Sequence, residues 1–162
     1  MSRFIKTVIG KPEQWLINNA ASIGLDFSNL IHEITSELIS HSMKRHGNPK
    51  IHGAATITEI DFKRIPDIVK TPDYAIIGAI RKETLLNLYA KIFNDITFMY
   101  FEEVLISRRN KALRGKTLYK ITRALSIEDI MKNLTKNNKT DISKAKVVDM
   151  KNVQTAGGYP GG

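Results

Sequence analysis

Residues 74–123 read YAIIGAIRKETLLNLYAKIFNDITFMYFEEVLISRRNKALRGKTLYKITR, and how this stretch is parsed decides the fold. Four runs within it, 74–81, 85–92, 96–107 and 116–123, are rich in β-branched and aromatic residues, which suit a pleated, half-buried surface. Short polar breaks separate the first three: Lys82-Glu83-Thr84 and Phe93-Asn94-Asp95. A longer basic link, Arg108 to Gly115, precedes the fourth. This spacing predicts an antiparallel four-stranded meander. The alternation of apolar and polar residues is imperfect, which suggests that some strands are covered on both faces.

Upstream of this block the periodicity is helical. Pro12 opens a short first helix that carries Trp15, Leu16 and Ile17 and ends near Gly24. Leu30, Ile31 and Ile34 form a brief apolar run, compatible with either an edge strand or a helix lead-in. Thr35 and Ser36 then offer N-cap oxygens to a helix whose apolar stripe includes Leu38, Ile39, Met43 and His46. Gly47-Asn48-Pro49 ends it. A capped turn at 58–62 and a short helix over 66–70, stopped before Pro72, complete the N-terminal half. Downstream, Ser126 to Asp129 caps a last helix over about 127–136, after which polar residues dominate and the Gly-rich end is expected to be flexible. The expected fold is α+β: N-terminal helices packed on one face of a four-stranded antiparallel meander sheet, plus a C-terminal helix. The expected organisation is a helical lead-in (1–24), one domain (25–137) and a flexible tail (138–162).

The chain has 162 residues, no cysteine and a net charge of +9. The missing thiols exclude disulfides, thiolate catalysis and Cys-ligated metal sites. The positive charge favours a polyanionic partner. No stretch approaches the roughly 18 apolar residues of a membrane span, and the opening MSRFIK has no long apolar core or cleavage signal. No membrane partner is therefore expected, and the expected location is the cytoplasm, reached either directly or by delivery from a phage particle or a larger carrier.

Two segments carry the candidate chemistry. The first is His41-Ser42-Met43-Lys44-Arg45-His46-Gly47. On a helix, Lys44 and Arg45 share the side of His41, where they would hold a phosphate and lower the histidine pKa. Imidazole is the side chain best suited to moving protons near neutral pH. His46, near the helix C-terminus, is also a natural partner of the helix dipole; His32 and His52 lack cationic company and read as structural or exposed. The second segment, from Arg108 through Arg109, Lys111, Arg114, Lys116, Thr117, Tyr119 and Lys120 to Arg123, contains seven basic residues and no acid. Such a link suits phosphate contact, although basic runs also occur as merely solvated loops. Lys116 and Thr117 open the last run, where a rigid element would present an ammonium and a hydroxyl to one phosphoryl group. His41 and His46 are five apart and no acidic cluster accompanies them, so neither metal nor cofactor is expected. Phe98, Tyr100 and Phe101 suit packing better than base stacking.

The ordered series HSMKRHG, TEIDFKRIPDIVKTPDYAI, the hairpins and GKTLYKI resembles phage and polymorphic-toxin nucleases of the barnase–EndoU–colicin E5/D–RelE type, over roughly residues 25–125. The resemblance implies a metal-independent endoribonuclease toxin, with tRNA as a candidate substrate, that attacks the phosphate with the ribose 2′-hydroxyl to give a 2′,3′-cyclic phosphate. It implies His41 as the leading acid–base residue and His46 as its partner or a structural brace. Lys44 and Arg45 would bind phosphate, and Lys116 and Thr117, with Tyr119 nearby, would complete the site. Either Glu102 or Glu103 is an alternative carboxylate base; neighbouring strand residues face opposite ways, so only one can face the site. A cognate acidic immunity protein is a further implied partner. The rival readings are a noncatalytic nucleic-acid-binding module and a phage assembly accessory. The oligomeric state is left open.

Overall fold

The computed structural model describes residues 5–151. Its elements run β1 (Lys6–Gly10), α1 (Gln14–Ala21), β2 (His32–Thr35), α2 (Ser36–His46), α3 (Pro49–His52), α4 (Ile65–Lys70), β3 (Tyr74–Arg81), β4 (Thr84–Phe93), β5 (Ile96–Ile106), β6 (Lys111–Ile121), α5 (Ile127–Lys132) and β7 (Lys146–Asp149). Short 3₁₀ turns at Gly53–Ala55 and Glu59–Arg64 precede α4, and a π-helical turn, Asn133–Asn137, follows α5.

The four expected strands are consecutive neighbours at the centre of the sheet. Their two short turns have both central residues at positive φ, Lys82 (49°) with Glu83 (68°) and Asn94 (49°) with Asp95 (63°), the conformation whose twist matches that of the flanking strands. The sheet itself corrects the four-stranded antiparallel expectation. It has seven strands in the order β1-β2-β6-β5-β4-β3-β7, and the β2–β6 pair is parallel. The three additional strands are only four or five residues long. Two of them lie at the edges and carry lysines, so neither length nor alternation marks them as strands. The apolar run at 30–34 resolves as strand and helix lead-in at once, because β2 passes directly into α2. Thus the expected lead-in begins with a strand, residues 146–149 beyond the last helix form another, and the Gly-rich end lies outside the described residues.

Both faces of the sheet are covered. Phe27, Leu38, Ile65 and Ile68 pack with Ile77, Tyr89, Tyr100 and Leu118 on one face. Ile130 and Leu134, from α5 and the turn after it, pack with Ile76, Leu88, Met99 and Phe101 on the other. Leu38, Ile130 and Leu134 are at most 1% exposed, so each contributes on the order of 1.5–3 kcal/mol. Trp15 ties two helices together by donating from Nε1 to the carbonyl of Lys70 at 2.9 Å.

β2 is too short to follow β6 along its length. The pairing covers only His32 with Leu113 and Glu33 with Arg114, and then the chain turns into α2. The helix occupies the edge that β2 leaves: the Ser42 hydroxyl accepts a hydrogen bond from the Leu118 amide at 3.0 Å. A helix thereby lies against the middle of a strand, which is what positions the site.

Candidate active site

Local sequence fixes α2 at both ends. Thr35 Oγ1 accepts from the Leu38 amide at 3.3 Å at the N-terminus. Glu37 lies in the first turn and Lys44, Arg45 and His46 in the last, each complementary to the helix dipole. Gly47 closes the helix, donating to the Met43 carbonyl at 2.9 Å; a Cβ there would lie 2.5 Å from that same oxygen. Leu38 and Ser42 are buried, which leaves His41 and Arg45 on the flank that overlooks the groove. His52 Nε2 lies 2.8 Å from the Arg45 carbonyl and braces the helix end.

Opposite α2, β6 carries a bulge. Phe101 pairs with Thr117 and Glu102 with Gly115, so Lys116 has no cross-strand partner. Bulges re-aim side chains and are frequent beside active sites. Gly115 is required here, because a Cβ would collide with the Tyr100 hydroxyl and with Leu38 of α2. Close approach of helix to strand therefore depends on the glycine directly before the lysine.

Three connected cavities run along this junction. One of about 220 Å³ is lined by Thr35, Glu37, Leu38, His41, Glu103, Arg114, Gly115 and Lys116. A second of about 290 Å³ is lined by His41, Arg45, His46, Arg81, Phe101, Thr117, Tyr119, Asn133, Asn137 and Asn138. A third of about 510 Å³ adds Lys82, Thr84, Leu86 and Lys139 to Arg45, Arg81, Lys116 and two of the asparagines. Shared walls make them one open groove with His41 and Lys116 near its centre, a shape that suits a strand better than a compact ligand. Six Arg and Lys side chains and two carboxylates line it, so it favours an anion.

Several expected residues thus converge: His41, Arg45, His46, Arg114, Lys116, Thr117 and Tyr119 line the groove. Partial burial first, then Arg45, Lys116, Lys44 and Arg81, hold the His41 pKa below its ordinary value. Lys44 is exposed and acts on His41 through its charge. His46 is also lowered, by burial first and then by His52, Arg45 and His41. Its ring stacks on Tyr119 at 5.1 Å, and Tyr119 stacks in turn on Phe101 at 6.0 Å. Burial pushes the Tyr119 phenol up to about 12, against smaller lowering effects of Asn138 and Arg81. Lys116 Nζ lies 3.8 Å from Glu103, with both side chains partly exposed; such a contact is worth little and leaves the ammonium available to a ligand. Arg114 is held by Glu33 at 2.6 Å.

Other expected residues lie elsewhere. Lys111 lines a separate cavity with Gly24 and Asp26, about 17 Å along the strand from Lys116 at ~3.3 Å per residue. Arg108 and Arg109 sit in the turn just before it. Lys120 is occupied by buried Asp61 at 2.9 Å. The two glutamates separate as strand alternation requires. Glu103 lines the His41 cavity. Glu102 is fully buried on the opposite face, where His32 Nδ1 lies 2.9 Å away and Asn87 and Tyr89 donate to it. Arg81, Lys82, Lys139 and the three asparagines were not singled out from sequence. They come from a hairpin turn and a helix end remote from both motifs, and no local pattern links them to the site.

A profile described as phage-Barnase-EndoU-ColicinE5/D-RelE like nuclease3 matches residues 10–128. The chain belongs to this nuclease family. No curated protein and no solved structure matches it. The match spans both His41 and the bulged lysine of β6 and supports nuclease activity and a nucleic-acid substrate. Among the described residues, no group of three or more His, Asp or Glu side chains is placed to hold a metal ion, and no helix is long and apolar enough to cross a membrane.

Proposed function

We propose that the protein is an endoribonuclease that cleaves RNA by intramolecular transfer, with His41 as the base. The observation that carries this reading is the meeting of His41 from α2 with Lys116 and Thr117 from β6 in one cationic groove, registered by the Ser42–Leu118 hydrogen bond. A histidine whose pKa is lowered is neutral at neutral pH, the state that accepts a proton. His41 takes the proton of the ribose 2′-hydroxyl. The 2′-oxygen attacks the adjacent phosphorus, and the bond to the 5′-oxygen breaks. Lys116, Arg45 and the Thr117 hydroxyl stabilise the charge that grows on the phosphorane. Lys116, on the opposite wall, supplies the proton to the departing 5′-oxygen. The products are a 2′,3′-cyclic phosphate and a 5′-hydroxyl. His46, partly buried and stacked on Tyr119 beside His52, serves as a brace in this reading, and its lowered pKa makes it a poorer proton donor than Lys116 at neutral pH.

No step draws on a metal. The basic groove is also the natural target of a protecting protein, and an acidic inhibitor laid along it would associate fast and block the site. The test is incubation of the purified chain with total RNA, tRNA included, in EDTA, with analysis of product ends. Cyclic-phosphate ends that disappear in His41→Ala are expected. Intact RNA, or cleavage indifferent to His41→Ala, removes the proposal, and salt-sensitive binding without products would leave a nucleic-acid-binding module in its place.

A further inference from the structure

Beyond the reacting groups, the groove has a wall built unlike the rest. Asn133, Asn137 and Asn138 line one cavity with His41, Arg81 and Thr117. They belong to the C-terminal helix end, after residue 128, where the family match stops. Their grouping has a backbone cause. Over Asn133–Asn137 the helix widens into a π turn, and the Asn138 amide bonds the Asn133 carbonyl at 3.2 Å. That i→i+5 bond brings Asn138 back over Asn133, and π turns are frequent at functional sites.

The hydrogen bonds also set the polarity of these amides. Asn133 Oδ1 accepts from the Tyr119 hydroxyl at 3.2 Å and from Asn138 Nδ2 at 3.1 Å. With its pKa pushed to about 12, Tyr119 remains a donor throughout the working range. The amide atoms not used in these bonds are Asn133 Nδ2, a donor, and Asn138 Oδ1, an acceptor. The exposed Asn137 amide, which no hydrogen bond among the described residues engages, adds one of each. Neutral amides beside the six cations of this groove are poorly chosen for phosphate. They suit a ligand edge that carries a donor beside an acceptor, and asparagine pairs in this way with adenine N6 and N7.

We infer that Asn133, Asn137 and Asn138 form a nucleobase subsite that selects the base next to the scissile phosphate, with adenine as the best-matched edge. This rests on the nuclease reading above and adds a sequence preference to it. The test compares wild type with Asn137→Ala/Asn138→Ala, both at positions that are not fully buried, using short RNAs that differ only in the base flanking the cleavage site. Wild type should prefer one base by about tenfold or more in kcat/KM, and the double variant should compress that ratio to about twofold. Binding of 2′-O-methyl oligonucleotides, which lack the attacking hydroxyl, gives a second reading independent of cleavage. Base-selective binding that is lost in the variant, in a protein that cleaves nothing, would sustain the subsite and sink the ribonuclease. A folded double variant with unchanged base preference, or a wild type without preference in either assay, overturns the inference.

Discussion

Two histidines of adjoining elements, His32 on β2 and His41 on α2, occupy opposite kinds of environment. His32 is 2% exposed, and its Nδ1 meets the carboxyl group of Glu102, which is wholly buried and also receives Asn87 and Tyr89. His41 is exposed and has Arg45, Lys116, Lys44 and Arg81 as electrostatic neighbours, with a groove beside it. Consecutive residues of β5 supply the acid on each side, Glu102 beneath His32 and Glu103 in the His41 cavity. The core pair is a framework whose carboxylate is met by His32, Asn87 and Tyr89, while His32 Nε2, also buried, has no hydrogen-bond partner among the described residues. Imidazole among cations at a cleft is unsatisfied by its own protein and suited to a substrate phosphate. The difference teaches that residue type and pairing do not identify an active site; the unmet charge does.

The strongest way to break this contrast is to remove each partner. His41→Ala should lower kcat by about 10²–10⁴-fold. Its stability to urea should stay within about 0.5 kcal/mol of wild type, since the side chain is exposed. Glu102→Ala should do the reverse. Opening a buried pair leaves His32, Asn87 and Tyr89 without their common acceptor, at a cost of about 3–5 kcal/mol. Activity per folded molecule at low temperature should survive. A Glu102 variant that is stable but inactive would move the catalytic centre to the other face of the sheet.

Ser42→Ala sharpens the comparison at smaller scale. It leaves the buried Leu118 N–H without its acceptor, which should cost about 1–3 kcal/mol. Because this bond registers α2 on β6, kcat should also fall while KM for a short RNA changes little. Equal stability with full activity would show that the helix is held in place by Leu38 packing alone.

These regions differ in how far they could be read from sequence. The central four strands are long, β-branched and joined by polar turns, so their existence was legible; β1 and β7 were not, being short edge strands that carry lysines, and β2 showed only as a brief apolar run that a strand and a helix lead-in fit equally. The parallel β2–β6 pair had no local signal at all, because crossover pairing is a property of topology. His41 with Lys44 and Arg45 was legible from helical spacing, since three- and four-residue neighbours share a side. The bulge that sets Lys116 apart was not, although its agent, Gly115, stands directly before it. Arg108, Arg109 and Lys111 drew attention by density of charge, yet density says nothing of distance, and the strand carries them away from His41. The buried His32–Glu102 pair was hidden for the complementary reason: its partners lie on three different strands.

The smallest predicted effect tests the electrostatic half of the contrast directly. In the proposed mechanism His41 is the base and works in its neutral form, so kcat/KM should rise with pH through a value below the ordinary imidazole 6.5 and be complete at neutral pH. Burial is the first cause of the lowering and Arg45 the second. Arg45→Ala removes a positive charge that disfavours imidazolium, so the His41 pKa should climb toward its ordinary value and the acid limb should move to higher pH. Burial remains, so the shift stops short of full reversal. Raising the salt on wild type should move the limb in the same direction, because exposed charges are screened within about 10 Å at 0.1 M ionic strength. Arg45 also contacts the groove, and its loss should lower the plateau, but plateau height and limb position are separate readings of one profile. A lower plateau with an unmoved limb would mean that Arg45 binds substrate without tuning His41, and that the cation cluster is a phosphate grip alone.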